Sequence, residues 1–258
     1  MIERYQQGRD PNVRRFSIIL ALLALFACGA ILPAAAQEEE TRRVEQCIDV
    51  FRGITTISDR KVPDFMMKRT QGIAIFPGVR RAGFVVGVQK GSGVLLTRGD
   101  GGARQGTEAN AARPGGAWGP PLFLTLSGGS IGWQAGIQSV DLVLFFQTKK
   151  SIDTMLKGQF TLGVDASIAA GATGRQAAAS TDTDLESEIY SYSRSRGFFA
   201  GLSLSGASIA VDYDANDAWY GTQDLRPKEI LSGAGLRIPA TGDSLRRAIA
   251  AYAKSVGD

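Results

Sequence analysis

The chain has 258 residues, carries 29 Lys and Arg against 25 Asp and Glu, and contains no histidine. A formal net charge of +4 is too small to predict a nucleic-acid-binding protein. The absence of histidine excludes Ser-His-Asp triads, histidine general bases and the common zinc sites.

The first 36 residues are typical of an export signal. Arg14 and Arg15 precede an apolar run over residues 18–32, and three alanines at positions 34–36 offer a cleavage site of small residues. This pattern predicts a secreted protein whose mature chain begins at residue 37.

Two alternatives to simple cleavage stay open. The apolar run could act as an uncleaved anchor, or Cys28 could be lipidated, since it follows a loosely lipoprotein-like box. Cleavage would leave residues 37–258 as one domain with a net charge of +2, because the signal holds four basic and two acidic residues. Cys47 is then the only cysteine, so no intramolecular disulfide can form.

The first predicted element of the mature chain is an amphipathic helix over residues 38–57, followed by a short second helix that begins at Pro63. Its apolar side chains recur at helical spacing and are Val44, Cys47, Ile48, Phe51 and Ile54. We expect this face to dock on the rest of the domain, and insertion into a lipid interface is the alternative.

Strands dominate the next part of the chain. Short apolar or alternating runs predict strands at residues 72–76, 82–89, 93–97, 121–126, 130–138, 140–147 and 160–170. A short helix is predicted at residues 149–157. Residues 98–119 have almost no large apolar side chain, which predicts a long surface loop.

The last part of the chain predicts a hairpin and two helices. Alternation over residues 196–213 indicates two paired strands with a turn near Gly206, and helices are predicted over residues 224–231 and 243–256. Since one helix among so many strands does not fit a βαβ pattern, the fold class is α+β. We expect about ten strands in a curved antiparallel sheet, like a barrel or sandwich, flanked by N- and C-terminal helices.

Two patterns have the spacing of known catalytic or metal sites. Asp212, Asp214 and Asn216 match the start of a calcium-binding loop, but the later Gly and Glu positions do not match, so a polar turn is favoured. Ser58 and Lys61 have the Ser-x-x-Lys spacing without its partner elements. We therefore predict no catalytic residue, no metal, no cofactor and no enzyme activity.

The run Tyr-Ser-Arg-Ser-Arg-Gly at residues 192–197 resembles the signature of the SYLF domain family. Further segments similar to the family follow its order and lie at residues 72–77, 82–96, 128–146 and 216–221. The resemblance covers approximately positions 41–221, which leaves residues 222–258 as C-terminal helices. It implies lipid binding, because eukaryotic members bind phosphoinositide membranes, some bind actin, and secreted bacterial members are described as lipid-binding proteins.

Basic residues in predicted loops and at strand ends are the candidate ligand contacts, since ammonium and guanidinium groups there can reach phosphates. The predicted lipid-binding residues are Lys68, Arg69, Arg80, Arg81, Lys149, Lys150, Arg194 and Arg196. By the resemblance, we expect anionic lipid, a phospholipid or lipopolysaccharide, as the partner of a periplasmic protein that lies peripherally on a membrane. The alternative is a structural or interaction protein of the bacterial envelope with a protein partner, and nucleic acid is not expected.

Overall fold

The computed structural model describes residues 37–56, 62–83, 86–99, 117–131, 136–171, 187–195, 198–199 and 204–256. These ranges hold six helices: α1 (37–55), α2 (Asp64–Arg69), α3 (Lys149–Met155), α4 (Tyr213–Tyr220), α5 (Pro227–Ser232) and α6 (Ala240–Ser255). They also hold nine strands: β1 (Gly72–Gly83), β2 (Val86–Thr97), β3 (Leu122–Ile131), β4 (Gly136–Phe146), β5 (Phe160–Thr161), β6 (Ile168–Ala170), β7 (Ile189–Ser195), β8 (Phe198–Phe199) and β9 (Ser208–Val211).

All nine strands join one sheet, in the order β5-β9-β3-β2-β1-β4-β7-β6, and β8 pairs with β7. The β1–β2 hairpin lies at the centre, and β3 and β4 flank it on either side. Of the strand pairs described, only β6 with β7 is parallel. The predicted α+β class, with helices before and after a curved antiparallel sheet, is confirmed.

One face of the sheet, which we call the helix face, is covered by α1, α2, α4 and α6. Ile75 and Phe145 lie in this core beside Trp219 of α4 and Leu245 of α6. Six α1 side chains belong to it, and four of them, Val44, Cys47, Phe51 and Ile54, are exposed by 1% or less. The prediction that this helix docks by its apolar face is therefore confirmed.

The opposite face, which we call the second face, is covered by α3, α5, β5 and the turn before β9. Phe76, Leu124 and Leu144 of the sheet pack there against Met155 of α3 and Ile230 of α5. Because both faces are covered, residues 142–146 of β4 are each 0% exposed. This explains the uninterrupted apolar sequence of that strand.

At the centre of the sheet, the strand ends that were predicted from glycine and proline residues are wrong. The break predicted between residues 76 and 82 is wrong, because a β-bulge accommodates Pro77 and Gly78 and β1 continues to Gly83. The strand predicted over residues 130–138 is also wrong, since those positions contain the end of β3 and the beginning of β4. At both places the alternation of side chains correctly indicated strands, but it did not locate the ends of the strands.

The strand predicted at residues 160–170 is interrupted by a turn in which Gly163 has a φ of +80°. The hairpin predicted over residues 196–213 is wrong as well. Gly206 does lie in a turn, but β9 pairs with β3 and β5, whereas β8 pairs with β7. Alternation indicated strands correctly and could not identify their partners.

Several predictions fall on residues outside the described ranges. They concern residues 1–36, Ser58, Lys61, Arg196 and most of the loop at residues 98–119. The two ends of that loop are joined by a bridge between Arg98 and Trp118. Within the described ranges, no helix combines the length and apolar character needed to cross a membrane.

Candidate binding surface

Seven of the eight predicted basic residues lie in the described ranges, and these seven form two groups at opposite ends of the sheet. The first group lies where α2 ends and α3 begins, and consists of Lys68, Arg69, Lys149 and Lys150. Gln147 holds these helix ends together by donating to the Thr70 hydroxyl at 3.1 Å. The second group consists of Arg80, Arg81 and Arg194. Gly72, where β1 begins, follows Arg69 of the first group by three residues, and Arg80 follows Gly72 by eight. Eight residues of strand span about 26 Å, so the two groups do not share one surface.

Arg80 belongs to a row of four exposed side chains that crosses the helix face beyond α1. The register pairs Arg80 with Lys90 of β2 and with Ser139 of β4, and it pairs Lys90 with Ser127 of β3. Directly opposed residues on antiparallel strands have Cβ atoms about 4.5–5.5 Å apart. We call Ser127, Lys90, Arg80 and Ser139 the cationic row.

The two charges of the cationic row are not neutralised by the carboxylate of β4. Asp141 lies two residues beyond Ser139 on the same face, but its Oδ1 accepts from the Gly78 amide at 3.0 Å, and its Oδ2 lies 3.2 Å from Arg194. No ion pair joins Arg80 or Lys90 to another residue of the described ranges. Like charges directly opposite each other destabilise a sheet, so the fold alone does not explain this pair.

Arg194 lies at the border between the packed helix face and the cationic row. Its side chain is 23% exposed and forms an ion pair with Asp141. Its guanidinium also covers Gly53 of α1, where an added Cβ would lie 2.1 Å from the Arg194 Nη1 atom. Arg194 thus connects α1, β4 and β7, and its predicted contact with a ligand stays a prediction.

Comparison with known proteins places the chain among named relatives. A family model described as "Ysc84: Las17-binding protein actin regulator" matches residues 127–252. SH3 domain-containing YSC84-like protein 1 of Xenopus laevis is 32% identical over 202 residues, which are 76% of this chain and 55% of that protein. Protein YSC84 of Saccharomyces cerevisiae is 33% identical over 193 residues, which are 74% of this chain and 38% of that protein.

The chain belongs to the Ysc84, or SYLF, family. LAS seventeen-binding protein 3 of Saccharomyces cerevisiae is also similar, at 32% identity over 195 residues, 74% of this chain and 39% of that protein. The chain thus spans about half or less of the length of these relatives.

The SYLF signature has packing roles in this structure. Tyr192 is 1% exposed, its ring lies edge-on to Phe145 at 5.4 Å, and its hydroxyl lies 3.5 Å from the Met66 sulfur. Burial raises the pKa of Tyr192 well above its ordinary value of 10.0. The Tyr190 hydroxyl accepts a hydrogen bond from the Ser187 amide at 3.1 Å. Together with Arg194, these residues fasten β7 to the helices above it.

Two residues of the pattern that matches the start of a calcium-binding loop, Asp212 and Asn216, have structural partners for their polar groups. Asp212 caps α4 by accepting from the Ala215 amide at 3.2 Å. Asn216 is fully buried, and its amide pairs with both backbone groups of Phe123, at 2.9 and 3.1 Å. The polar turn favoured by the sequence is therefore the start of a helix that seals the edge of β3.

A charged cluster under the first half of α1 was missed by the sequence analysis. The Arg43 Nη1 atom lies 3.0 Å from Glu40 Oε2, though not aligned for a hydrogen bond, and 3.4 Å from Asp212 Oδ2. Glu40 is 6% exposed, and this burial raises its pKa from 4.5 to about 7, while Arg43 opposes the shift. Glu40 precedes Val44 by four residues and Cys47 by seven, so its position on the apolar face was the available signal.

Proposed function

We propose that this chain is a non-catalytic binding module that engages an acidic surface of a partner protein through the cationic row. The observation that carries the proposal is the Arg80–Lys90 pair, in which two like charges are exposed side by side between two serine hydroxyls. A carboxylate placed over the pair gains charge-assisted hydrogen bonds and removes the repulsion between the two cations. Binding therefore relieves a cost that the free protein carries.

A protein partner is supported by what the relatives are named for. The family description and the name LAS seventeen-binding protein 3 both refer to binding of another protein. Beside the row, Val88 is 68% exposed and lies opposite Ala82, so the surface offers apolar contact as well as charge. Apolar contact beside charged groups is the usual anatomy of a protein interface.

The test is site-directed photocrosslinking in intact cells, with the crosslinking residue at Ser139. We expect one or more discrete adducts, and we expect the double variant Arg80→Glu and Lys90→Glu to lose them. The matched control is Lys157→Glu with Lys228→Glu, which changes the net charge equally at two exposed lysines outside the row. Adducts of equal yield in both double variants would exclude the row as the contact.

An anionic lipid headgroup, of a phospholipid or lipopolysaccharide, is the second candidate ligand. It is favoured by the hydroxyls of Ser127 and Ser139, which can donate to phosphate oxygens beside the two cations. Co-sedimentation with phosphatidylglycerol vesicles, but not with phosphatidylcholine vesicles, would support it, provided that salt and the row double variant both weaken binding. Equal binding to both vesicle types would contradict it.

The location of the protein is a separate proposal. From the pattern of residues 1–36, we infer export to the periplasm of a bacterial cell envelope. After cell fractionation, intact mass spectrometry should detect a periplasmic chain that begins at Gln37. A lipid-modified chain beginning at Cys28 would support the lipoprotein alternative, and a full-length mass would contradict cleavage.

A further inference from the structure

Gln89 lies on the second face of the sheet, behind the cationic row, and is buried without hydrogen-bond partners. Its side chain is 1% exposed, and neither its Oε1 nor its Nε2 atom has a partner within the described part of the chain. Buried polar groups in folded proteins are nearly always hydrogen-bonded, and an unpaired amide is costly. An apolar side chain of similar size would serve the core better, so this amide requires an explanation.

A cationic side chain, that of Arg81, lies next to Gln89 in the sheet. The register places Gln89 directly opposite Arg81 of β1 and opposite Gly128 of β3. Val79, two residues before Arg81, lies in the core of the second face, so Arg81 is directed to that face as well. Arg81 is half-buried, and no ion pair joins it to another residue of the described ranges.

Gly128 gives the Gln89 amide its space. A Cβ at position 128 would lie 3.1 Å from Gln89 Nε2 and 2.9 Å from the Ala207 Cα atom. The amide therefore lies between β3 and the turn that ends at Ala207. Gly206 in that turn is exposed and has a φ of +85°, while Leu204 and Ala207 of the same turn are buried, so the turn covers the amide and reaches the surface at Gly206.

The unpaired atoms define the chemistry of a ligand. The Gln89 amide offers two N–H donors and one carbonyl acceptor, and the Arg81 guanidinium offers up to five donors. An anionic oxygen can accept from both residues, while a hydroxyl on the same molecule can donate to Gln89 Oε1. A hydroxyl beside the anionic group would donate to Oε1, and a phosphate offers the donors of Gln89 and Arg81 more acceptor oxygens than a carboxylate does.

We propose that Arg81 and Gln89 form a binding site for a small phosphate-bearing, hydroxylated ligand. The site lies on the other face of β1 and β2 from the cationic row, so it is independent of the proposed function. A free phosphate ester and the glycerol phosphate headgroup of a lipid share this chemistry. The experiment must therefore separate these two sources.

Isothermal titration with sn-glycerol 3-phosphate is the first arm, dihexanoyl phosphatidylglycerol is the second, and glycerol is the uncharged control. We expect at least one of the two phosphate probes to bind, and we expect glycerol not to bind. Arg81→Gln and Gln89→Met should each weaken binding at least tenfold, while Arg237→Gln, a change at an exposed arginine before α6, should not. Saturation should also shift the side-chain amide resonance of Gln89 in ¹H–¹⁵N spectra.

Each outcome decides the proposal. Binding of the free ester assigns the site to soluble phosphate compounds, and binding of the lipid alone assigns it to the headgroup. An unmoved Gln89 resonance with both phosphate probes means that the amide holds interior water only and overturns the proposal. Binding that survives Arg81→Gln but is lost in the Arg80→Glu, Lys90→Glu variant overturns it too, since the ligand then sits on the cationic row. The resonance and the Arg81 variant remain decisive even where Gln89→Met fails to fold.

Discussion

The sheet changes character along its length, and the change occurs at the bulge around Pro77 and Gly78. On the side toward α2, both faces are covered, and residues 142–146 of β4 are fully buried. Beyond the bulge, the helix face is open and presents Arg80, Lys90 and Val88. The same strands thus support the fold in one half and present a surface in the other, so substitutions in the two halves should affect different properties.

The largest effect is expected in the covered half, at Asn216. Replacing it with Ala leaves both backbone groups of Phe123 without their side-chain partner. We expect a loss of about 2–4 kcal/mol in the free energy of unfolding, measured by urea denaturation. Asn216→Asp keeps the acceptor for the Phe123 amide but places a buried carboxylate against the carbonyl oxygens of Phe123 and Asp212, so it should not restore stability. A loss below about 1 kcal/mol for Ala would contradict this role.

A smaller effect is expected at the border between the covered half and the open half of the sheet, where the Arg194 side chain covers Gly53. Arg194→Met removes the pair with Asp141 and should cost about 1–2 kcal/mol, given the partial exposure of both side chains. Gly53→Ala should destabilise the wild type, because its Cβ displaces the guanidinium from Asp141. In the Arg194→Met background, the same change should instead stabilise by up to about 1 kcal/mol, since Ala favours a helix over Gly. Equal effects in both backgrounds would show that the two residues are not coupled.

The third prediction concerns pH and the cluster beneath the start of α1. The pKa of Glu40 is raised to about 7 in the folded protein, so the native state binds this proton more tightly than the unfolded chain does. The contribution to stability is complete below pH 4.5, falls as pH rises, and is lost above about 7. Thermal unfolding across this window should show the decline, and Glu40→Gln should remove it. An unchanged slope in the variant would assign the decline to another group.

The smallest effect on stability is expected in the open half. Arg80→Glu places a carboxylate opposite Lys90 and should stabilise the protein by about 0.2–1 kcal/mol, because it replaces a like-charge pair with an opposite-charge pair. Arg237→Glu, at an exposed position outside the row, should leave stability unchanged. Chemical denaturation of both variants in low salt provides the measurement. Destabilisation by Arg80→Glu would mean that Arg80 has a structural partner.

Features that depend on local interactions were predicted from the sequence, whereas features that depend on long-range contacts were not. The spacing of Val44, Cys47 and Phe51 is a local signal, and it was sufficient to predict α1 and its buried face. The partners of β9 are long-range, and nothing in the alternation of residues 208–211 indicates that β3 rather than the preceding strand lies beside it.

The candidate surface depended on register in the same way. Basic residues were identified by type, but Arg80 and Arg81 point to opposite faces, and a shift of one residue would exchange them. The bulge at Pro77 and Gly78 decides which of them lies opposite Lys90. Glu40 and Gln89 were missed for a related reason, because their importance comes from burial beneath distant segments.

Because α1 contacts residues that lie far along the chain, it cannot complete its packing early in synthesis. This helix is the first described element to be synthesised, yet Arg43 lies against Asp212, which follows 169 residues later. At roughly 5–20 residues per second, synthesis of that interval takes about 8–34 s. During this time the apolar face of α1 has no completed sheet on which to pack. The nascent chain therefore exposes a hydrophobic helix at its beginning until its C-terminal quarter has been made, and this favours capture by a chaperone before folding.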